Sequence, residues 1–319
     1  MAKTRKCLSA YKIFLVGILG IALLFWGEAL AAGAPEKILV SASIMPLGDF
    51  CRQVGGDRVA VQVLIPPGAS PHVFEPPPST VARAARARLF VYIGAGLEPW
   101  AEKLLRSRGT ADLVLVEAAQ GLPLLKEAGG HGHAEVASET HGSSPGPAVQ
   151  AGNPHIWLDP VLAQEICRHI ALALIRLDPD HRAYYEGHLQ AYQQELAALD
   201  REIKDRVATW RLKEFVSFHP AFSYFARRYG LREAGVLELA PGREPTPRHL
   251  QEIVAAIRQL GIRVVFAEPQ LNPRVAQVVA REAGVKVLML DPIGGRPPYG
   301  SDYLKLMRYN LATMEEAMK

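Results

Sequence analysis

The sequence predicts an α/β fold: two lobes, each with a mainly parallel sheet flanked by helices, joined by one long rigid linking helix. Three observations predict it. Short β-branched or apolar runs alternate with helical stretches. The second half of the chain repeats the style of the first. Between them, from about His181 to Trp210, lies a stretch without proline in which Leu189, Tyr192, Leu196, Leu199, Ile203 and Val207 recur at spacings of three and four. That is an amphipathic helix of about 28 residues, or roughly 40 Å at 1.5 Å per residue. The expected boundaries are residues 33–179 for the first lobe, 180–210 for the linking helix and 211–319 for the second lobe.

Residues 1–32 read as an export signal and are set aside. Lys3, Arg5, Lys6 and Lys12 precede an apolar run from Ile13 to Trp26, and Ala29-Leu30-Ala31 is a small-x-small cleavage pattern. Glu28 and the shortness of the run argue against a retained anchor, because a spanning helix needs about 20 apolar residues. The expected product is a periplasmic protein cleaved near Ala31. Cys7 precedes the apolar run, so the cleavage point lacks a lipidation cysteine.

In the first lobe, Lys37 to Ala42 reads as a strand. A helix from about Pro46 to Val54 stops at Gly55-Gly56. Val59 to Ile65 is a second strand, followed by a loop bearing His72. Ser79 is placed to cap a helix through Arg88. Leu89 to Ile93 is a strand, Pro99 to Arg106 a helix and Leu113 to Val116 a strand. Asp159 to about Leu177 is a helix. In the second lobe, Glu214 to Ser217 is a strand leading into a loop with His219. Ala221 to Arg228 is a helix and Leu231 to Leu237 a strand. Pro247 to Leu260 is a helix with Gly261 past its end. Val264 to Ala267 is a strand, Pro273 to Ala283 a helix, Val285 to Leu290 a strand and Ser301 to Met318 the last helix.

Gly129 to Gly152 breaks the pattern. It places His131, His133 and His141 among Gly, Ser, Pro and Glu with hardly any bulky apolar residue. It reads as a mobile surface loop, either a solvated insertion or a weak metal-collecting tract.

Composition excludes some functions. The whole chain carries a net charge of +4, and the leader holds four cations against Glu28. The remainder is close to neutral and gives no argument for nucleic-acid binding. Cys51 and Cys167 form no CxxC pair, so a cysteine zinc site is excluded. They read equally as one disulfide or as two buried thiols.

Three histidines stand in well-framed loops: Pro71-His72-Val73-Phe74-Glu75-Pro76, Asn153-Pro154-His155-Ile156-Trp157-Leu158-Asp159-Pro160 and Phe218-His219-Pro220-Ala221-Phe222. Asp291, in Leu290-Asp291-Pro292, is a fourth candidate that could equally be a turn cap. Imidazole is the commonest zinc ligand, and three His with one carboxylate complete a tetrahedral site. His72, His219 and Asp291 each follow an expected strand, where open α/β sheets bind ligands. His169, His181, His188 and His249 lie in expected helices and read as structural or surface residues. Glu75, Glu244 and Glu268 sit in Glu-Pro dipeptides in loops and read as partners of ligands or, more plainly, of arginines.

These stretches, with Phe218-His219-Pro220-Ala221-Phe222-Ser223-Tyr224-Phe225 and Glu244-Pro245, resemble the metal-binding periplasmic receptors of ABC importers, in particular the zinc-uptake subgroup. The resemblance covers nearly the whole chain after the leader. It implies two lobes with the metal between them, held by His72 and His155 from the first and His219 and Asp291 from the second. It implies Zn²⁺ as the transported ligand and, as partner, a membrane permease with its cytoplasmic ATPase. A monomer is expected. Manganese receptors of the same family usually have Glu in place of His219, and a nitrogen-rich set suits Zn²⁺ better than Mn²⁺. Asn153 stands where the family commonly has Asp, a departure expected to matter little. Two other readings are an exported zinc hydrolase and a surface adhesin. The hydrolase lacks HExxH and GxSxG motifs, and the adhesin lacks the lipid-anchor cysteine.

Overall fold

The computed structural model describes residues 37–101, 113–126, 152–238 and 245–319. The leader, most of the expected helix after Pro99, the tract with His131, His133 and His141, and Glu244 lie outside the described residues.

Eight strands among the described residues form two four-stranded parallel sheets. The first contains β1 (Ile38–Ala42), β2 (Val59–Val63), β3 (Leu89–Tyr92) and β4 (Val114–Glu117) in the order β2-β1-β3-β4. The second contains β5 (Glu214–Ser217), β6 (Arg232–Val236), β7 (Val264–Ala267) and β8 (Lys286–Met289) in the order β6-β5-β7-β8. The two orders are the same topology used twice, as the repeated pattern in the sequence leads one to expect. β3 and β7 are buried at every residue, which explains their unbroken apolar runs. In both sheets the chain reverses its direction of winding beside the first strand. That leaves a crevice at the carboxyl ends of the strands.

The helices are α1 (Met45–Gly55), α2 (Pro78–Ala84), α3 (Pro160–Leu177), α4 (Arg182–Ala208), α5 (Ser223–Tyr229), α6 (Pro247–Leu260), α7 (Arg274–Ala283) and α8 (Tyr303–Met318). Three begin with a side-chain cap. Asp159 accepts from Val161 N, Thr246 from His249 N and Asp302 from Lys305 N. α2 differs from expectation. Ser79 does not cap it, because Pro77 is at the cap position and Pro78 already has the helical φ at the first turn; the helix ends at Ala84, short of Arg88.

The long helix α4 buries Tyr185, Tyr192, Leu196, Leu199, Ile203 and Val207. Leu189 is only partly buried, and Tyr185 extends the stripe one turn earlier. α4 packs against α3, α1 and α8. The last helix therefore returns to the first half of the chain, where Tyr303 N donates to Asp49 Oδ2 at 2.9 Å and its ring meets Phe50 edge-on. One hydrophobic cluster runs from Ile38 through Trp157, Leu196 and Phe225 to Met318. A second, around Val216, Ile253 and Val265, involves α6, α7 and the second sheet. Cys51 and Cys167 are free thiols buried in the main cluster, which decides between the two readings of the pair; burial pushes the Cys51 thiol up to about 12. No helix among the described residues is long and apolar enough to cross a membrane.

Because Leu196 is fully buried, Leu196→Ala is expected to cost about 3 kcal/mol through lost burial and a residual cavity. A urea-unfolding midpoint unchanged from wild type would show that α4 does not carry the core.

Candidate metal centre

Loops at the carboxyl ends of the strands supply the site. After β2, Leu64 N and Ile65 N still donate to Ala42 O and Ser43 O, so the chain leaves the sheet in a fixed direction before turning through Pro66-Pro67-Gly68 to His72. Gly68 has φ 86°, and a Cβ there would lie 1.9 Å from the guanidinium of Arg296. Glycine adopts that left-handed φ without strain, whereas the Arg296 side chain could move aside. His219 follows β5 in extended backbone, and Pro220 opens a short 3₁₀ turn after it. His155 starts the 3₁₀ turn Ile156–Leu158, which is anchored by Trp157 Nε1 donating to Pro292 O at 2.7 Å.

The three histidines converge. His155 Nε2 lies 3.2 Å from His72 Nε2 and 3.1 Å from His219 Nε2. Their ligand atoms all lie within 4.8 Å of one another. Two imidazole nitrogens on one tetrahedral zinc, each at 2.0–2.1 Å, would stand about 3.3 Å apart. The tautomers are fixed from behind. His155 Nδ1–H donates to Asn153 Oδ1 at 2.9 Å, and His219 Nδ1–H donates to Glu268 Oε1 at 2.5 Å. In the neutral rings both Nε2 atoms then carry lone pairs, and these face each other. A cation between them, proton or metal, relieves that repulsion.

The environments of the rings differ. Burial and the neighbouring His219 hold His72 down to about 3. Burial, then His219 and His72, hold His155 well below the ordinary range. His219 is also opposed by burial, but the Glu268 carboxylate, with Glu233 and Glu238 behind it, leaves it raised. Two rings are thus poised as neutral donors, and the third is the one on which a proton competes with metal.

The fourth candidate does not join the cluster in this structure. Asp291 is 1 % exposed, but its oxygens are engaged elsewhere. Oδ1 accepts from Gln270 Nε2 and from the backbone of Ile293 and Gly294; Oδ2 accepts from Tyr299 OH at 2.5 Å. These bonds shape the loop after β8. Glu268 proves to be the partner of His219 and not of an arginine, and its second oxygen is buried without a hydrogen bond. Asn153, expected to matter little, holds His155 through both its backbone N–H and its ring. Its place two residues before a buried His, in Asn-Pro-His, was the available signal, since a short amide reaches back to that backbone. His249 Nε2–H donates to Val236 O, His188 Nδ1–H donates to Gln53 O, and His181 sits on Asp178, all away from the cluster. Ser70, Glu238, Gln270, Leu271, Pro292 and Ile293 complete the cavity around the three histidines.

Comparison with known proteins follows this geometry. Residues 40–317 match the family described as zinc-uptake complex component A, periplasmic. The high-affinity zinc uptake system protein ZnuA of Bacillus subtilis is 30% identical over 287 residues, covering 89% of this chain and 88% of that protein. The zinc-binding lipoprotein AdcA of Streptococcus pneumoniae is 30% identical and is matched over 56% of its length. Among solved structures, a crystal structure of ZnuA superposes with a TM-score of 0.76 at 30% identity, covering 88% of this chain and 99% of that one. The laminin-binding protein Lmb of Streptococcus agalactiae, described as a bifunctional protein with adhesin and metal-transporting activity, gives 0.74 at 32% identity over 88% of this chain and 100% of that one. Fold, coverage and identity agree, and the chain belongs to the zinc-uptake component A family of periplasmic metal-binding receptors, which are not enzymes.

Proposed function

We propose that this protein captures Zn²⁺ at His72, His155 and His219 and delivers it to the membrane permease of an ABC importer with its cytoplasmic ATPase. The convergence of three Nε2 atoms, two of them with tautomers set by Asn153 and Glu268, carries the reading. A three-nitrogen set favours zinc over manganese, which prefers more oxygen donors and higher coordination. The ligands come from both sheets: His72 and His155 from the first half, His219 from the second. A bound ion therefore ties the halves together and alters the surface that a permease meets. The continuous core through α1, α3, α4 and α8 favours a small adjustment over a wide closure. We further propose export by the leader, cleavage near Ala31, action as a monomer, and weak metal collection by His131, His133 and His141.

The fourth coordination position is proposed to be filled by water, with Asp291 held by Tyr299 and Gln270 outside the histidine cluster. Competition titration with a zinc chelator tests this. His219→Ala is expected to weaken zinc binding by more than about a hundredfold, and Asp291→Asn by roughly tenfold or less, the range of outer-sphere changes. A larger loss for Asp291→Asn than for His219→Ala would make the carboxylate a ligand and overturn the water assignment.

Protons and zinc compete for the same nitrogens, so affinity falls with pH. His72 and His155 have depressed pKa values and stay neutral at mild acidity; His219, with its raised value, does not. Between pH 5 and the ordinary histidine pKa of about 6.5, the logarithm of the zinc association constant is expected to rise with a slope of about one per pH unit. A slope near three would mean that all three rings titrate together. The metal-free fold has its own dependence. Groups depressed on folding contribute stability that is present above the unfolded histidine pKa and lost below it. His72 and His155 therefore weaken the apo protein as pH drops through about 6.5. The raised His219 acts in the opposite sense, adding stability below that value and losing it as pH rises through its folded pKa. Two groups outweigh one, so apo melting temperature is expected to fall from pH 7 to pH 5.

A further inference from the structure

Asn153 is held in a way that orienting His155 does not require. It is 2 % exposed. Its Oδ1 accepts from His155 N at 3.0 Å and from His155 Nδ1 at 2.9 Å. Its Nδ2 donates to Pro220 O at 2.6 Å. Its backbone is fixed as well: Asn153 N donates to Leu125 O at 2.7 Å, and Tyr224 OH donates to Asn153 O at 2.7 Å while accepting from Leu125 N. The amide orientation is forced from both sides. A backbone N–H faces one end and a carbonyl oxygen the other, so oxygen and nitrogen cannot be exchanged.

Pro220 is the residue after His219. The amide therefore closes a ring: Asn153 to His155, His155 Nε2 to His219 Nε2 at 3.1 Å, and the His219–Pro220 backbone back to Asn153. One buried side chain ties a metal-bearing loop of the first half to a metal-bearing loop of the second, and it does so without any metal. We infer that Asn153 is a positioning residue that clasps the two loops together and sets how slowly the bound metal is released. This rests on the proposed zinc site at His155 and His219.

The side-chain chemistry separates this role from simple orientation of His155. Aspartate would accept from His155 as well as asparagine does, and its charge would make the ring a better metal donor, as Glu268 does for His219. Aspartate has no hydrogen to give Pro220 O. Two acceptor oxygens would face each other in a site closed to water, and the clasp would become a repulsion. A residue that only orients His155 predicts slower metal release in Asn153→Asp. A clasp predicts faster release.

The experiment loads wild type, Asn153→Asp and Asn153→Ala with Zn²⁺, mixes each with excess chelator and follows release by stopped flow. Circular dichroism checks that each variant folds. The expected result is release about tenfold faster or more in both variants. Release by Asn153→Asp at the wild-type rate or slower, with Asn153→Ala faster, would reduce Asn153 to an orienting role and overturn the clasp. Should Asn153→Asp not fold, the wild-type carboxamide decides the matter by NMR. A clasp shields its side-chain protons from solvent exchange in both metal-free and zinc-loaded protein; rapid exchange in the zinc-loaded form overturns it. Wild-type protein that holds no zinc sinks the receptor reading and the clasp together, whereas zinc held but released at the same rate by Asn153→Asp sinks the clasp alone.

Discussion

The Nε2 atoms of His155 and His219 face each other at 3.1 Å inside a buried cavity, and the proton on each ring is held on the far nitrogen by Asn153 and Glu268. Lone pairs in that arrangement repel. Asn153 and Glu268 hold the two rings in that facing arrangement. The rest of the site follows from this constraint. His72 adds a third nitrogen from the half-open side, and its burial keeps it unprotonated. The Glu268 carboxylate behind His219 favours a positive charge on that ring.

The scaffold meets this constraint by using one topology twice. Each sheet sends loops from the carboxyl ends of its parallel strands toward the same cavity, so histidines separated by 83 and 64 residues arrive at hydrogen-bonding distance. The long helix α4 and the returning helix α8 bind the two halves through one core. Polar contacts reinforce it across the same junction. Trp157 reaches Pro292, Tyr303 reaches Trp157, and Arg228 on α5 bridges Asp159 and Asp200.

Much of this was legible in the chain. Strands and helices of strong period, such as Pro247–Leu260 and Val264–Ala267, fall where the pattern puts them. The three clustered histidines announce themselves through the prolines beside them, which stiffen their loops. What the pattern could not show depends on partners far away in sequence. Asp291 reads as a fourth candidate ligand, and only the fold shows that Tyr299, Gln270 and two backbone N–H groups engage it. Glu268 could have served an arginine, and only the approach of β7 to β5 decides for His219. Asn153 looks dispensable in the sequence, since its second bond goes to a carbonyl 67 residues away. Ser79 lost its capping role to two prolines whose fixed φ sets the helix start earlier.

X-ray absorption at the zinc edge of the stoichiometrically loaded protein tests the central claim most directly. The account predicts a first shell of about four light atoms at 2.0–2.1 Å with the outer-shell scattering of three imidazole rings. A shell with one imidazole or none, or one containing sulfur at about 2.3 Å, would contradict it and move the metal away from His72, His155 and His219.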